Sequence, residues 1–280
     1  MTTTTERGTA TLTTEDGLTL GYRELGSGPA VLLLHGWPTS SHLWRNVMPT
    51  IAEHNRVLAL DLPGFGTSDK PNDVRYSFEF FERAIVGFLA ALGIDEVVGV
   101  AGHDLGGPIA VHWALERRSR VSRLALLNTL LYPEFSDAVR DFVIALSSSV
   151  TRDELVSRAG LEDLLHLGVA HDSALDDHVV AAVTAPFATD DDRLALAAAG
   201  IGLSIRGFAE IAAGLPTLTM PVRVVYGTDD RILPDAADTM VRLQRDVPHA
   251  VITTLLGAGH FVQEDAPAQV ADLLGEFFAS

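Results

Sequence analysis

The sequence predicts an α/β protein built on a mostly parallel sheet with helices on both of its faces. Three features carry that expectation. Short runs such as the wholly apolar residues 30–34, and residues 56–61 with their apolar stretch between Arg56 and Asp61, have the composition of strands covered on both sides. Such runs alternate with amphipathic helical stretches, the rhythm of strands joined by right-handed crossovers. Each run also stops at a loop rich in Gly and Pro, several of which carry a polar residue just after the strand, where ligands collect in open parallel sheets.

Taken in order, residues 9–14 and 18–24 alternate apolar and polar around Glu15-Asp16-Gly17, which predicts a hairpin. Residues 30–34 form the first buried strand and end in His35-Gly36-Trp37-Pro38; Ser40 and Ser41 can cap a helix over 42–53. A second buried strand over 56–61 leads into a loop from Leu62 to Asp69. Its Gly64-x-Gly66 pair lacks the third glycine and the lysine that a phosphate loop needs, so it is read as a turn. A helix over 76–92, a strand over 96–100, a helix over 106–117 and a strand over 121–128 continue the alternation. From Tyr132 to about Pro216 no strand run occurs, and helices are expected over 136–147, 152–167, 175–185 and 190–201. The alternation then resumes with a strand over 222–226, a helix over 236–246, a strand over 250–256 and a closing helix over 263–279.

Composition narrows the function. A chain of 280 residues, 47% hydrophobic, can bury a large core, which argues against a small binding module. Its 37 acidic against 20 basic residues give a formal charge of −17, which repels nucleic acid and anionic membranes, so neither is expected as a partner. The absence of cysteine excludes disulfides and thiolate chemistry, and the ten histidines show no metal-ligand spacing, so no metal or cofactor is expected. Residues 1–10 are polar and Thr-rich with no apolar stretch of the kind a signal peptide needs, and a cytoplasmic location is expected.

The chemistry centres on residues 98–107, where an apolar run stops at Asp104, flanked by Gly102 and Gly106, and a helical pattern follows. This is the nucleophile-elbow spacing G-x-S-x-G with Asp in place of Ser; small flanking residues allow a turn sharp enough to lift the central side chain off the sheet. An Asp in that place could instead cap the helix. Two more candidates lie after later strands: Asp229 or Asp230, and His260 between glycines. A carboxylate with an unperturbed pKa of about 3.9 is already ionised at neutral pH, so Asp104 needs no base to attack an sp³ carbon. His260 would then activate the water that hydrolyses the resulting ester, with the second acid orienting its imidazole. The N–H groups of Leu105 and Trp37 are placed to receive the negative charge that hydrolysis puts on an Asp104 oxygen.

With these residues assembled, the chain resembles the haloalkane dehalogenase and epoxide hydrolase branch of the α/β-hydrolase superfamily. The resemblance spans nearly the whole sequence: His35-Gly36-Trp37-Pro38 with Leu43-Trp44-Arg45, Asp61-Leu62-Pro63-Gly64-Phe65-Gly66, Gly102-His103-Asp104-Leu105-Gly106-Gly107, and Gly257-Ala258-Gly259-His260-Phe261-Val262-Gln263-Glu264. It implies an α/β-hydrolase core over 1–131 and 217–280, a helical cap over 132–216, and the catalytic set Asp104, Asp230 and His260, with Asp230 preferred over Asp229 by its distance from Gly227. It also implies a small apolar organic substrate and water as the reactants.

The substrate is less well marked. Haloalkane dehalogenases usually place Trp directly after the nucleophile, with a second Trp or Asn nearby, to hold the departing halide. Here Leu105 and Trp37 fill those places and residues 132–216 contain no Trp. Epoxide hydrolases usually open the ring with cap tyrosines, and here only Tyr132 is available, with His166, His171 and His178 as distant substitutes. Trp44 and Trp113 read as core, and strand alternation points His103 away from Asp104. Carbon–halogen cleavage is the leading expectation and epoxide hydrolysis the alternative. A binding protein without turnover, and a lyase or cyclase that only moves protons, remain as readings from other classes.

Overall fold

The apolar runs pair into one eight-stranded sheet in the computed structural model, which describes residues 9–279. The strands are β1 (Ala10–Thr13), β2 (Thr19–Gly26), β3 (Ala30–Leu34), β4 (Arg56–Leu60), β5 (Gly99–His103), β6 (Leu124–Leu127), β7 (Val222–Gly227) and β8 (Val251–Leu255). Their spatial order is β1-β2-β4-β3-β5-β6-β7-β8. Only the β1–β2 and β2–β4 pairs are antiparallel; from β4 to β8 every pair is parallel. The polar tail expected over residues 1–10 falls almost entirely outside the described residues.

Side-chain alternation divides the core between the two faces of the sheet. Leu32, Leu34, Leu58, Leu60, Val100, Leu124 and Leu126 pack on one side, against α2 (Phe78–Ala91) and α3 (Gly106–Glu116). Val31, Leu33, Val57, Ala59, Ala101, Ala125 and Leu127 face the other, against α1 (Met48–Ile51) and the C-terminal helix. Between β6 and β7 the chain makes only helices: α4 (Asp137–Ser147), α5 (Ser149–Leu155), α6 (Arg158–Gly168), α7 (Asp177–Thr184), α8 (Asp190–Gly200) and α9 (Ile205–Gly214). The order closes with α10 (Ala236–Asp246), α11 (Val262–Asp265) and α12 (Pro267–Ala279). No single helix among the described residues is long and apolar enough to cross a membrane.

Several elements differ from the sequence expectation, each for a local reason. The helix expected over 42–53 is a 3₁₀ turn at Ser41–Trp44 followed by α1, because Pro49 supplies no N–H and can sit only at the start of a helix. The helix over 152–167 is two helices, since the Ser157 hydroxyl accepts the Gly160 N–H and caps α6. Gly160 also lies so close to α5 that a Cβ there would meet the Glu154 carbonyl oxygen at 2.3 Å. The closing helix is broken before Pro267. The strand expected over 96–100 begins three residues later at Gly99, and Val97 makes only an isolated bridge to Val121. Helix α9 lies beyond the last helix expected in this region, which ends at residue 201.

Candidate active site

The carboxyl ends of β3, β5, β6, β7 and β8 converge on one edge, and the loops leaving them build the site. Asp104 follows β5 with φ of 47°, in the left-handed region that Asp tolerates better than most residues. The bend is too tight for larger neighbours. A Cβ on Gly102 would lie 2.3 Å from the Gly106 carbonyl oxygen, and one on Gly106 would lie 2.5 Å from the carbonyl oxygens of Leu34 and His35. The bend is fixed from outside as well, where the Thr129 hydroxyl donates to the Asp104 carbonyl at 2.6 Å.

The two oxygens of Asp104 have different surroundings. Oδ2 accepts the Trp37 N–H at 2.9 Å, and the Leu105 N–H, next along the chain, helps to hold the carboxyl's pKa down. Oδ1 faces His260 Nε2 at 3.9 Å. Gly36 is required for this approach, because a Cβ there would sit 2.4 Å from the Asp104 Cβ. His35 holds the same loop: its Nδ1–H donates to the Gly36 carbonyl at 2.9 Å and its Nε2 accepts the Leu62 N–H at 3.0 Å. Burial keeps that imidazole below its ordinary pKa, which suits the neutral tautomer those two bonds require.

Asp230 and His260 are joined by a direct bond. His260 Nδ1 meets Asp230 Oδ2 at 3.0 Å. Asp230 is otherwise filled with donors: Ile232 N–H at 2.9 Å and Leu233 N–H at 2.7 Å on Oδ1, and the Asn128 amide at 2.7 Å on Oδ2. Asp229 is exposed and takes the Thr228 hydroxyl at 2.8 Å, so Asp230 is the acid that faces the imidazole. Asp61, at the end of β4 on the same edge, is occupied instead with the Ser41 N–H at 2.7 Å and the Thr67 N–H at 2.8 Å, and acts as a loop anchor.

These contacts set the charges. Burial pushes the Asp104 carboxyl above its ordinary range, a departure from the unperturbed value the sequence suggested. The imidazole of His260 and the N–H groups of Leu105 and Trp37 oppose that rise. Burial alone would also strip His260 of its proton; the charge of Asp230, their hydrogen bond and the charge of Asp104 outweigh it and raise the imidazole. For Asp230 burial is overcome by His260, the Leu233 N–H and the Asn128 amide, which hold it below the usual carboxylate range. His260 Nε2 is buried with no hydrogen-bond partner among the described residues and points at Asp104.

The alpha/beta hydrolase fold family matches residues 29–267. The chain belongs to the α/β-hydrolase family. Haloalkane dehalogenase 2 of Mycobacterium tuberculosis is 32% identical over 262 residues, covering 92% of this chain and 90% of that protein. The crystal structure of haloalkane dehalogenase DbeA from Bradyrhizobium elkani superposes with a TM-score of 0.85 at 26% identity, over 97% of each chain. Bifunctional epoxide hydrolase 2 of Rattus norvegicus is 40% identical over 124 residues, 44% of this chain and 22% of that protein. Within the superfamily the chain therefore falls in the haloalkane dehalogenase and epoxide hydrolase branch.

In this α/β-hydrolase the side chains weighed for leaving-group chemistry are occupied elsewhere. The Trp37 indole N–H donates to the Leu196 carbonyl at 3.0 Å, tying β3's loop to α8, and its ring packs edge-on against Phe142. Leu105 contributes only its backbone N–H. The Tyr132 hydroxyl donates to Asp246 at 2.7 Å beneath the Arg242 guanidinium, which lies 3.8 Å from the ring centre. His166 pairs with Asp172 at the surface, and His171 and His178 are exposed. Trp44 and Trp113 are buried in the core.

Two further residues of the α/β-hydrolase site stand outside the predicted catalytic set. Asn128, fully buried with φ of 33°, bridges Asp230 and the Gly227 N–H, which its Oδ1 accepts at 3.2 Å. Its position at the end of β6 on the loop edge was the available signal. His103 does point away from the Asp104 side chain, but its Nε2–H donates to the His260 carbonyl at 2.9 Å and its ring lies 4.7 Å from the His260 ring.

Proposed function

We propose that this hydrolase forms an alkyl ester on Asp104 and then hydrolyses it, with His260 as the base for water. In this reading Asp230 orients the imidazole and the N–H groups of Trp37 and Leu105 form the oxyanion hole. The observation that carries it is the split role of one carboxylate: Oδ2 is held by the Trp37 N–H at 2.9 Å while Oδ1 is 3.9 Å from His260 Nε2.

The chemistry runs in two steps. Oδ1, desolvated by burial, attacks an sp³ carbon in line, and the carbon's bond to its leaving group breaks with the electron pair on that group. Water then gives a proton to His260 Nε2 as its oxygen bonds to Cγ of Asp104, and the negative charge moves onto Oδ2 in the oxyanion hole. Collapse breaks the Cγ–Oδ1 bond, and the alcohol leaves with the proton from His260. Esterification also removes the Asp104 charge, one of the three influences that raise His260. The imidazole therefore shifts toward its neutral, basic form when the ester appears.

Residues 132–216 serve as the cap over this centre and residues 1–131 with 217–280 as the core; the Trp37–Leu196 bond is one tie between them. The substrates are water and a small apolar organic molecule. Similarity to a haloalkane dehalogenase along 92% of the chain favours carbon–halogen cleavage. Epoxide hydrolysis is the second reading, favoured by 40% identity to an epoxide hydrolase over 124 residues.

The test is His260→Gln incubated with 1-bromobutane or styrene oxide, followed by peptide mass mapping. A substrate-derived adduct accumulates on the peptide containing Asp104, and whether the butyl or the styrene-derived adduct forms separates the two substrates. An unmodified Asp104 in a variant that still turns over normally contradicts the scheme.

A further inference from the structure

The loop carrying His260 is bonded to the helical insertion as well as to the sheet core. The Gly168 carbonyl, at the end of α6, accepts the N–H of His260 at 2.7 Å and that of Phe261 at 3.1 Å. Asp265 closes the same joint from α11. Its Oδ2 accepts the Gly259 N–H at 2.7 Å and the Ala170 N–H at 2.9 Å, and its Oδ1 accepts the Ala170 N–H at 3.1 Å and the His171 N–H at 3.3 Å. One carboxylate thus gathers the peptide before the base and two peptides of the insertion. The acid's loop joins the same segment, because the Arg231 guanidinium donates to the carbonyls of Val169 and His166.

The joint has no slack. A Cβ on Gly168 would meet the Phe261 ring at 2.3 Å, and one on Gly259 would meet the Gly168 carbonyl oxygen at 2.5 Å. Behind the loop, Arg45 grips Glu264 with two bonds of 2.6 and 2.7 Å, which leaves little freedom for α11 to follow a displaced loop.

We infer that Asp265 is a positioning residue for His260, clamping the base's loop to residues 168–171 so that the helical insertion forms part of the mounting of the base. The inference rests on the Asp104–His260 reading for its kinetic consequence and on the hydrogen bonds alone for its structural one. The variant Asp265→Asn keeps size and shape but turns an acceptor into a donor. Whichever way the amide lies, an N–H then faces an N–H, from Gly259 and Ala170 or from Ala170 and His171. The loop loosens, His260 Nδ1 drifts from Asp230, and the step that needs a base suffers while the step that needs only Asp104 does not.

The experiment compares wild type, Asp265→Asn and His260→Gln by histidine-labelled NMR titration and by rapid-quench mass analysis with 1-bromobutane. In Asp265→Asn, with native circular dichroism, the His260 imidazole titrates at a lower pH than in wild type. Its ester hydrolysis slows by about tenfold or more, with the rate of ester formation unchanged. A His260 titration and ester lifetime equal to wild type overturn the inference. Should His260→Gln form no ester on Asp104 either, the proposed function fails, while the titration still decides the role of Asp265. If Asp265→Asn does not fold, Gly168→Ala strikes the same joint from the insertion, and an unaltered His260 titration there overturns the inference equally.

Discussion

His260 Nε2 and Asp104 Oδ1 face one another at 3.9 Å without a hydrogen bond, while the opposite nitrogen of the same ring is bonded to Asp230 at 3.0 Å. The ring is therefore oriented by Asp230 and leaves its Nε2 turned toward the proposed nucleophile without a hydrogen bond to it. In the proposed mechanism displacement by Asp104 comes first and base catalysis by His260 second.

The titration of His260 tests that order. Asp230 and Asp104 raise the imidazole above its ordinary 6.5, so in the free enzyme it loses its proton only above that pH. In the ester the Asp104 charge is gone, so the acid limb of ester hydrolysis lies at lower pH than the free-enzyme titration by NMR. Asp230→Asn lowers both and slows ester hydrolysis by about 10²- to 10⁴-fold, as expected when an orienting acid is neutralised. Coincident limbs in free enzyme and ester would remove the electrostatic link between the two groups.

The charge of Asp104 should weaken the fold. Its pKa is raised by burial, so between its ordinary 3.8 and its folded value the native state holds a proton that the unfolded chain has released. Stability is lost as pH rises through that window and stays lost at neutral pH. Asp104→Asn, which tolerates the same φ, is expected to melt above wild type at pH 7.5, and the gain to shrink as pH falls toward 4. Thermal melts at the two pH values measure it; a variant less stable than wild type at pH 7.5 argues against a buried carboxylate.

Trp37→Phe separates the indole from the backbone of that residue. The Trp37 N–H on Asp104 is kept and a ring still faces Phe142, while the bond to Leu196 and the buried indole volume packed beside Gly200 are lost. We expect a stability loss of about 2–3 kcal/mol and little change in the rate of ester formation. An indole that stabilised a departing halide would instead be worth about 10²-fold in that step. With no indole donor supplied from position 37 or 105, bromoalkanes should outpace chloroalkanes steeply in rapid-quench assays.

Asn128→Ala deletes a bond to Asp230 and one to Gly227. Loss of a bond to a charged acceptor is worth about 1.5–3 kcal/mol, so ester hydrolysis should fall by about 10- to 100-fold, with ester accumulating in the steady state. Asn128→Asp should be worse, because two adjacent buried carboxylates cannot both ionise at low cost. Steady-state mass spectra of the two variants show the order.

The parts of this molecule that could be read in advance are those written in period and order. The apolar run at Ala30–Leu34 and the one that follows Arg56 to Leu60 are strands in the structure, and the glycines flanking Asp104 mark the bend that the structure contains. Helix breaks were harder, because Ser157 and Pro267 interrupt periodic stretches through caps and missing donors that the hydrophobic pattern does not register. Asn128 and His103 act through hydrogen bonds to residues about a hundred or more positions away, so no local spacing announces them. The destination of the Trp37 indole depends on how α8 lies over β3, a tertiary fact invisible in either segment alone.

The most direct test of the account follows oxygen through one turnover. Wild-type enzyme in excess over 1-bromobutane, in water enriched in ¹⁸O, should release butanol carrying ordinary oxygen taken from Asp104. The label should appear in the Asp104 carboxylate on peptide analysis. Labelled butanol from that first turnover, with Asp104 unlabelled, would mean that water attacks carbon directly, and would contradict an ester on Asp104.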